Sequence, residues 1–131
     1  MQTSGLNHVV LTVSDPAKSA AFYGDVLGFP INNLPGIPGG GFYIEAGSTW
    51  IFFFGSRQPQ PGDRFNEFRI GLDHLSFTAP SREALDQLAA TLKAAGVETQ
   101  GVELFGPSGN WYVAFRDPDN IQLEYWLNSE D

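Results

Sequence analysis

The chain has no cysteine among its 131 residues. That excludes a disulfide framework and any thiolate metal site. Cations are scarce too: seven Lys and Arg stand against fifteen Asp and Glu, for a formal net charge of −8. No basic footprint is offered to nucleic acid or to an anionic membrane surface. No apolar run approaches the roughly 20 residues of a membrane span. The opening MQTSG lacks a basic stretch with an apolar one after it, so the expectation is a cytoplasmic protein with no signal peptide. What is abundant points to a compact globule rather than a disordered chain: 42% of residues are hydrophobic and 14% aromatic.

Histidine is nearly as rare as methionine, and its placement is informative. GLNHVVLTV begins at Gly5 and GLDHLSFTA begins at Gly71. The chain's two histidines, His8 and His74, occupy the fourth position of this repeated phrase. The repeat continues beyond it. After the first phrase, Asp15 is a good N-cap, Pro16 suits the first helical position and Gly28 suits a helix stop. The pairs Phe22/Val26 and Tyr23/Leu27 are spaced to form one buried helical face. After the second phrase, Ser81 can cap, Leu85, Leu88 and Leu92 form an apolar stripe, and Gly96 ends the helix.

Strands follow each helix. GFYIEAGSTWIFFFGS reads as two strands around Gly47, and NWYVAFRDPDNIQLEYW as two strands around RDPDN. Shorter strands are expected near Ile31–Leu34 and Val97–Val102, with Gly/Pro loops at 34–41 and 104–110. The prediction is therefore a single α+β domain over 1–131. It is built of two βαβββ modules, about 5–56 and 70–128, joined by a polar linker over 57–69. Two such modules can keep their helices outside and leave a concave sheet surface.

Alternate strand residues share a face. His8 shares one with Val10 and Thr12, His74 with Ser76 and Thr78, and Glu124 with Gln122 and Trp126. If the pseudo-symmetry brings the two first strands together, His8 and His74 face one another and Glu124 can join them. Two imidazoles and a carboxylate suit one divalent first-row ion, Fe, Mn, Ni, Co or Zn, with positions left open for water, substrate or O2. Around them Trp50, Phe53, Trp111 and Trp126 are candidates to line a pocket for a flat, aromatic small molecule.

GLNHVVLTVSDPAKSAAFYGDVLGF, GLDHLSFTA and FRDPDNIQLEYW together resemble the vicinal oxygen chelate superfamily, which includes glyoxalase I, extradiol dioxygenases, fosfomycin-resistance enzymes and bleomycin-binding proteins. The resemblance covers nearly the whole chain. It implies the paired βαβββ fold, metal ligands at His8, His74 and Glu124, and a homodimer in which His8 could complete the site of the other chain.

Departures from the family pattern narrow the reaction. Glyoxalase I carries a second Glu on the last strand of its first module; here Phe52, Phe53 or Phe54 stands there, and phenylalanine neither binds a metal nor moves a proton. Fosfomycin enzymes have Thr where Val10 stands, and basic residues beyond the last Glu; here no Lys or Arg follows Arg116. A phosphonate would depend on Arg57, Arg64 or Arg69. Extradiol dioxygenases place a Tyr where Ala114 falls, with Tyr112 two residues earlier as a substitute catalytic group. The resulting expectation is a metal-dependent enzyme acting on a small vicinal-dioxygen substrate, with dioxygenase-like chemistry ahead of a glyoxalase-like lyase or isomerase or a fosfomycin-type transferase. The rival is a metal-free, bleomycin-type drug-binding protein.

Overall fold

A computed structural model describes residues 1–129, which divide into two compact units, the first Met1–Asp63 and the second beginning at Arg64. In the first unit, β1 (His8–Val13) leads into α1 (Pro16–Ala21). The helix starts where expected: Asp15 accepts a hydrogen bond from the Ala17 N–H at 3.0 Å, and Pro16 occupies a first-turn position where its missing N–H costs nothing. It does not continue as one regular helix. Over Phe22–Val26 it widens into a π turn, with the Leu27 N–H donating to the Phe22 carbonyl five residues back. The wider turn lets adjacent Phe22 and Tyr23 both reach the core, while Val26 and Leu27 are only half-buried.

Strands β2 (Asn32–Asn33), β3 (Gly41–Ala46) and β4 (Thr49–Gly55) complete a sheet in the order β1-β4-β3-β2, with β1 parallel to β4 and the other pairs antiparallel. Its helix-side face is the core. Phe53 is fully buried, stacked on Phe42 and packed against Tyr23, both at 4.5 Å between ring centroids.

The second unit repeats this plan. β5 (Leu75–Thr78), α2 (Arg82–Ala94), β6 (Val102–Phe105), β7 (Asn110–Arg116) and β8 (Gln122–Leu127) give a sheet in the order β5-β8-β7-β6. Ser81 caps α2 by accepting from the Ala84 N–H at 3.1 Å. Leu85 and Leu92 of the predicted stripe are fully buried, and the helix packs on the face that carries Val113, Phe115 and Leu123. The architecture is α+β, as the repeat implied.

One strand lies later than its sequence suggested. Residues 97–101 do not pair, and β6 starts at Val102, where the expected strand ends, and runs to Phe105, into the stretch expected as loop. The Thr99 hydroxyl donates to the Ala114 carbonyl and accepts from the Gly101 N–H, and Gly101 adopts φ +74, so the chain turns there before pairing with β7. Among the described residues no helix is long and apolar enough to cross a membrane.

Candidate functional site

Each sheet has one face covered by its helix and one open face. The repeated phrase delivers a histidine to the edge of each open face by the same backbone route. Gly5 and Gly71 adopt φ +130 and +139, a conformation in which an L side chain is strained, and the next three residues lead to His8 and His74. In both copies the preceding residue fixes the ring. His8 Nδ1 pairs with Asn7 Oδ1 at 2.7 Å, and His74 Nδ1 with Asp73 Oδ1 at 2.6 Å. With Nδ1 paired in this way, Nε2 is the nitrogen left to face other groups. Orienting a ring through one nitrogen so that the other can ligate is how metal-binding imidazoles are normally held.

In the second unit that Nε2 meets a carboxylate. His74 Nε2 lies 3.4 Å from Glu124 Oε1, with side chains 36% and 13% exposed. Glu124 is opposite Ser76 on one side and Ala114 on the other. The hydrogen bond that His74 donates to Asp73 is the main influence raising His74 above the ordinary histidine value, with burial opposing it and the charges of Glu124 and Asp73 adding to it. The imidazole thus holds a proton more readily than an ordinary histidine and lies against a mostly covered carboxylate.

The first unit shows what occupies the matching place. Val10 is opposite Phe52 as Ser76 is opposite Glu124, and Tyr43 flanks Phe52 as Ala114 flanks Glu124. The residue in register with Glu124 is therefore Phe52, not Phe53 or Phe54. His8 meets the Phe52 ring edge-on at 5.5 Å. Glu45, the sole carboxylate on these strands, lies opposite Trp50. Among the described residues no group of three His, Asp or Glu side chains is gathered to hold a metal ion; the structure brings His74 and Glu124 together, and His8 stands on the other sheet.

The model of the Glyoxalase/Bleomycin resistance protein/Dioxygenase superfamily matches residues 5–125. The chain belongs to that superfamily. A solved domain of this superfamily from Frankia sp. EAN1pec is 34% identical, with a TM-score of 0.83 over 98% of this chain and 95% of that one. YwkD of Bacillus subtilis (strain 168) is 28% identical over 129 residues, covering 96% of this chain and 98% of that protein. The glutathione transferase FosA of Serratia marcescens is 30% identical over 129 residues, covering 95% of this chain and 81% of that protein.

Within this superfamily frame, the aromatic candidates divide between faces. Trp50 is 43% exposed on the first open face, beside Phe52 and stacked on Tyr43 at 5.2 Å. Trp126 lies on the second open face, stacked on Tyr112 at 5.7 Å and flanked by Phe105 at 5.6 Å. Two candidates are corrected. Phe53 belongs to the buried core on the opposite side of its sheet and cannot line a pocket on the His8 face. Trp111 also points to the helix side, where the Arg82 guanidinium lies 4.2 Å from its ring centroid.

Tyr112 does share the Glu124 face, with Glu103 opposite it on the neighbouring strand. Burial, then the charges of Glu103 and Glu124, push its pKa up. It keeps its proton and can donate a hydrogen bond; it is not a base.

Sequence reasoning missed three groups. Asn7 and Asp73 were visible as the Asn/Asp before each histidine, and their role follows once the ring is placed. Glu67 sat unremarked in the polar linker. It forms a two-pronged ion pair with Arg116, at 2.7 and 3.0 Å, from a segment that is also fastened by Phe65 N–H to the Asp119 carbonyl and by Asn120 Nδ2 to the Phe65 carbonyl.

Proposed function

We propose that the protein is a divalent-metal-dependent enzyme of the vicinal oxygen chelate type, with His74, Glu124 and His8 as ligands. The observation that carries this reading is His74 Nε2 directed at Glu124 Oε1, 3.4 Å away, with Nδ1 already engaged by Asp73. The donor chemistry fits a first-row ion, since imidazole nitrogen and carboxylate oxygen suit Fe, Mn, Co, Ni and Zn. His8 has its Nδ1 engaged in the same way and is exposed, so it is available as the third ligand, within one chain or from the second copy in a homodimer.

A divalent ion so held supplies Lewis acidity toward two neighbouring substrate oxygens. The chain's own groups do the rest. Glu124 and Asp73 keep His74 oriented. Tyr112 and Trp126 offer a flat stacking surface two residues beyond Glu124 on the same face, and the Tyr112 phenol can donate to a substrate oxygen. Phe52 stands where a second carboxylate would be needed for proton shuttling, which disfavours glyoxalase-type isomerisation. We therefore place oxygenase-like chemistry on a small aromatic vicinal diol ahead of lyase or transferase chemistry.

A second reading is favoured by one feature of the first unit: Tyr43, Trp50, Phe52 and Phe54 form a continuous aromatic surface. Such a surface could sequester a flat ligand without metal. Protein loaded with Fe(II) or Mn(II), given a panel of catechols under air and compared with Glu124→Gln, separates the two. Ring-opened product that vanishes in the variant supports the enzyme. Tight ligand binding without turnover, unchanged by chelator and by the variant, supports sequestration.

A further inference from the structure

The eight strands carry three carboxylates, Glu45, Glu103 and Glu124, and a single cation, Arg116. The other six Lys and Arg lie elsewhere: Lys18, Arg82 and Lys93 are on helices, and Arg57, Arg64 and Arg69 are outside helices and strands. Arg116 occupies the Glu124 face of its sheet. It alternates with Ala114, which is opposite Glu124, and it is itself opposite Gln122. A guanidinium there would be well placed to grip an anionic substrate beside Glu124, because its planar fork matches carboxylate and phosphonate oxygens.

That fork is already filled. Arg116 Nη1 donates to Glu67 Oε2 at 3.0 Å and to the Asn120 carbonyl at 3.2 Å. Nη2 donates to Glu67 Oε1 at 2.7 Å and to Gln122 Oε1 at 3.3 Å. All four terminal N–H groups are thus used, and only the Nε–H of the five guanidinium donors is left. The grip of Arg116 also holds the Glu67 carboxyl down at about 2, so the pair stays ionised across the physiological range.

We infer that Glu67 sets substrate specificity: by locking Arg116 it withdraws the one strand cation from the Glu124 face, and the ligand this face accepts is neutral or cationic rather than a phosphonate or carboxylate. Glu67 acts through Arg116, as a positioning residue. The ion pair also fastens residues 65–69 to the β7–β8 hairpin. That structural role alone predicts no new binding when the lock is opened, whereas a specificity role predicts a gain.

The inference rests on the reading that the His74–Glu124 face receives the substrate, but its test does not need a metal. Phenylphosphonate is titrated by calorimetry and phosphorus NMR into metal-free wild type, Glu67→Gln, Arg116→Gln and the double variant. Wild type and Arg116→Gln should bind it equally weakly. Glu67→Gln should bind about tenfold or more tightly, and the double variant should lose that gain. A folded Glu67→Gln with no gain, or wild-type binding that disappears in Arg116→Gln, would overturn the inference. If Glu67→Gln does not fold, the comparison of wild type with Arg116→Gln decides alone. Metal uptake measured on the same samples reports separately on the metal reading.

Discussion

Val10 and Phe52 stand opposite each other in the first sheet where Ser76 and Glu124 stand in the second. Strand order, parallel pairing and the histidine's approach are the same in both units, yet one open face is an aromatic surface and the other holds an imidazole–carboxylate pair. The difference shows that the repeat encodes a scaffold, and that a few open-face positions decide what each copy does with it. The first copy keeps the imidazole and replaces the carboxylate by a ring. Its open face carries Val10 at 47% and Trp50 at 43% exposure, which is surface suited to covering a ligand or a partner. The second copy keeps both the imidazole and the carboxylate, with Ser76, Gln122 and Arg116 on the same face.

The largest expected effect tests whether the two faces of the first sheet really differ. Phe53→Ala should destabilise by about 3–5 kcal/mol, the usual cost of emptying a buried ring site. Phe52→Ala, on the open face, should cost about 1 kcal/mol, as for a half-buried side chain without a special role. Urea unfolding measures both. Equal costs would mean that the open face is buried in the working protein, and the contrast would have to be redrawn.

Next come the residues that orient the histidines. Asp73→Ala should weaken divalent-metal affinity about 10–100-fold, with a smaller loss for Asn7→Ala, because a carboxylate makes the stronger hydrogen bond to Nδ1–H. Competition titration with a coloured chelator reads the affinities. The pH dependence has a definite sign. His74 is raised above its ordinary value, so metal affinity should already decline on acidification above pH ~6.5. In the metal-free protein the same shift acts the other way. Its stabilisation is full below the unfolded-state value and is lost as pH rises through the folded-state value. Parallel slopes for metal affinity and apo stability would contradict this account of His74.

Much of this was legible in the sequence, for physical reasons. The doubled phrase, the caps at Asp15 and Ser81 and the alternation of the long strands gave the modules and singled out His8, His74 and Glu124 as candidate donors. What alternation does not encode is the register between strands, so the residue matching Glu124 stayed open among Phe52, Phe53 and Phe54 until the pairing was seen. Trp111 and Tyr112 are neighbours on one strand, and only one of them can share a face with Glu124; parity alone separates them. The start of β6 was hidden because Thr99 and Gly101 make a local turn in residues that otherwise look strand-like. The Glu67–Arg116 pair left no trace, since it joins an irregular segment to a hairpin far along the chain, and no periodicity connects them.

A smaller effect sharpens the comparison at that pair, which has no counterpart in the first sheet: Glu45 takes the position corresponding to Arg116. Glu67 is depressed to about 2. A carboxyl so shifted contributes stability that is present above the ordinary carboxylate range and is lost as pH falls through the folded-state value. The melting-temperature gap between wild type and Glu67→Gln should therefore be widest near neutrality and shrink between pH ~4.5 and ~2. A gap that does not change with pH would show that the ion pair is not its source.

The central claim is that the donors for a metal are divided unequally, with His74 and Glu124 on the second sheet and His8 alone on the first. Equilibrium dialysis against Mn(II) or Co(II), followed by elemental analysis, tests it directly on wild type, His8→Ala, His74→Ala, Glu124→Gln and Glu45→Gln. The account predicts one bound ion per wild-type chain, loss of that ion in the first three variants and full retention in Glu45→Gln. Full retention in Glu124→Gln, or loss in Glu45→Gln, would contradict it.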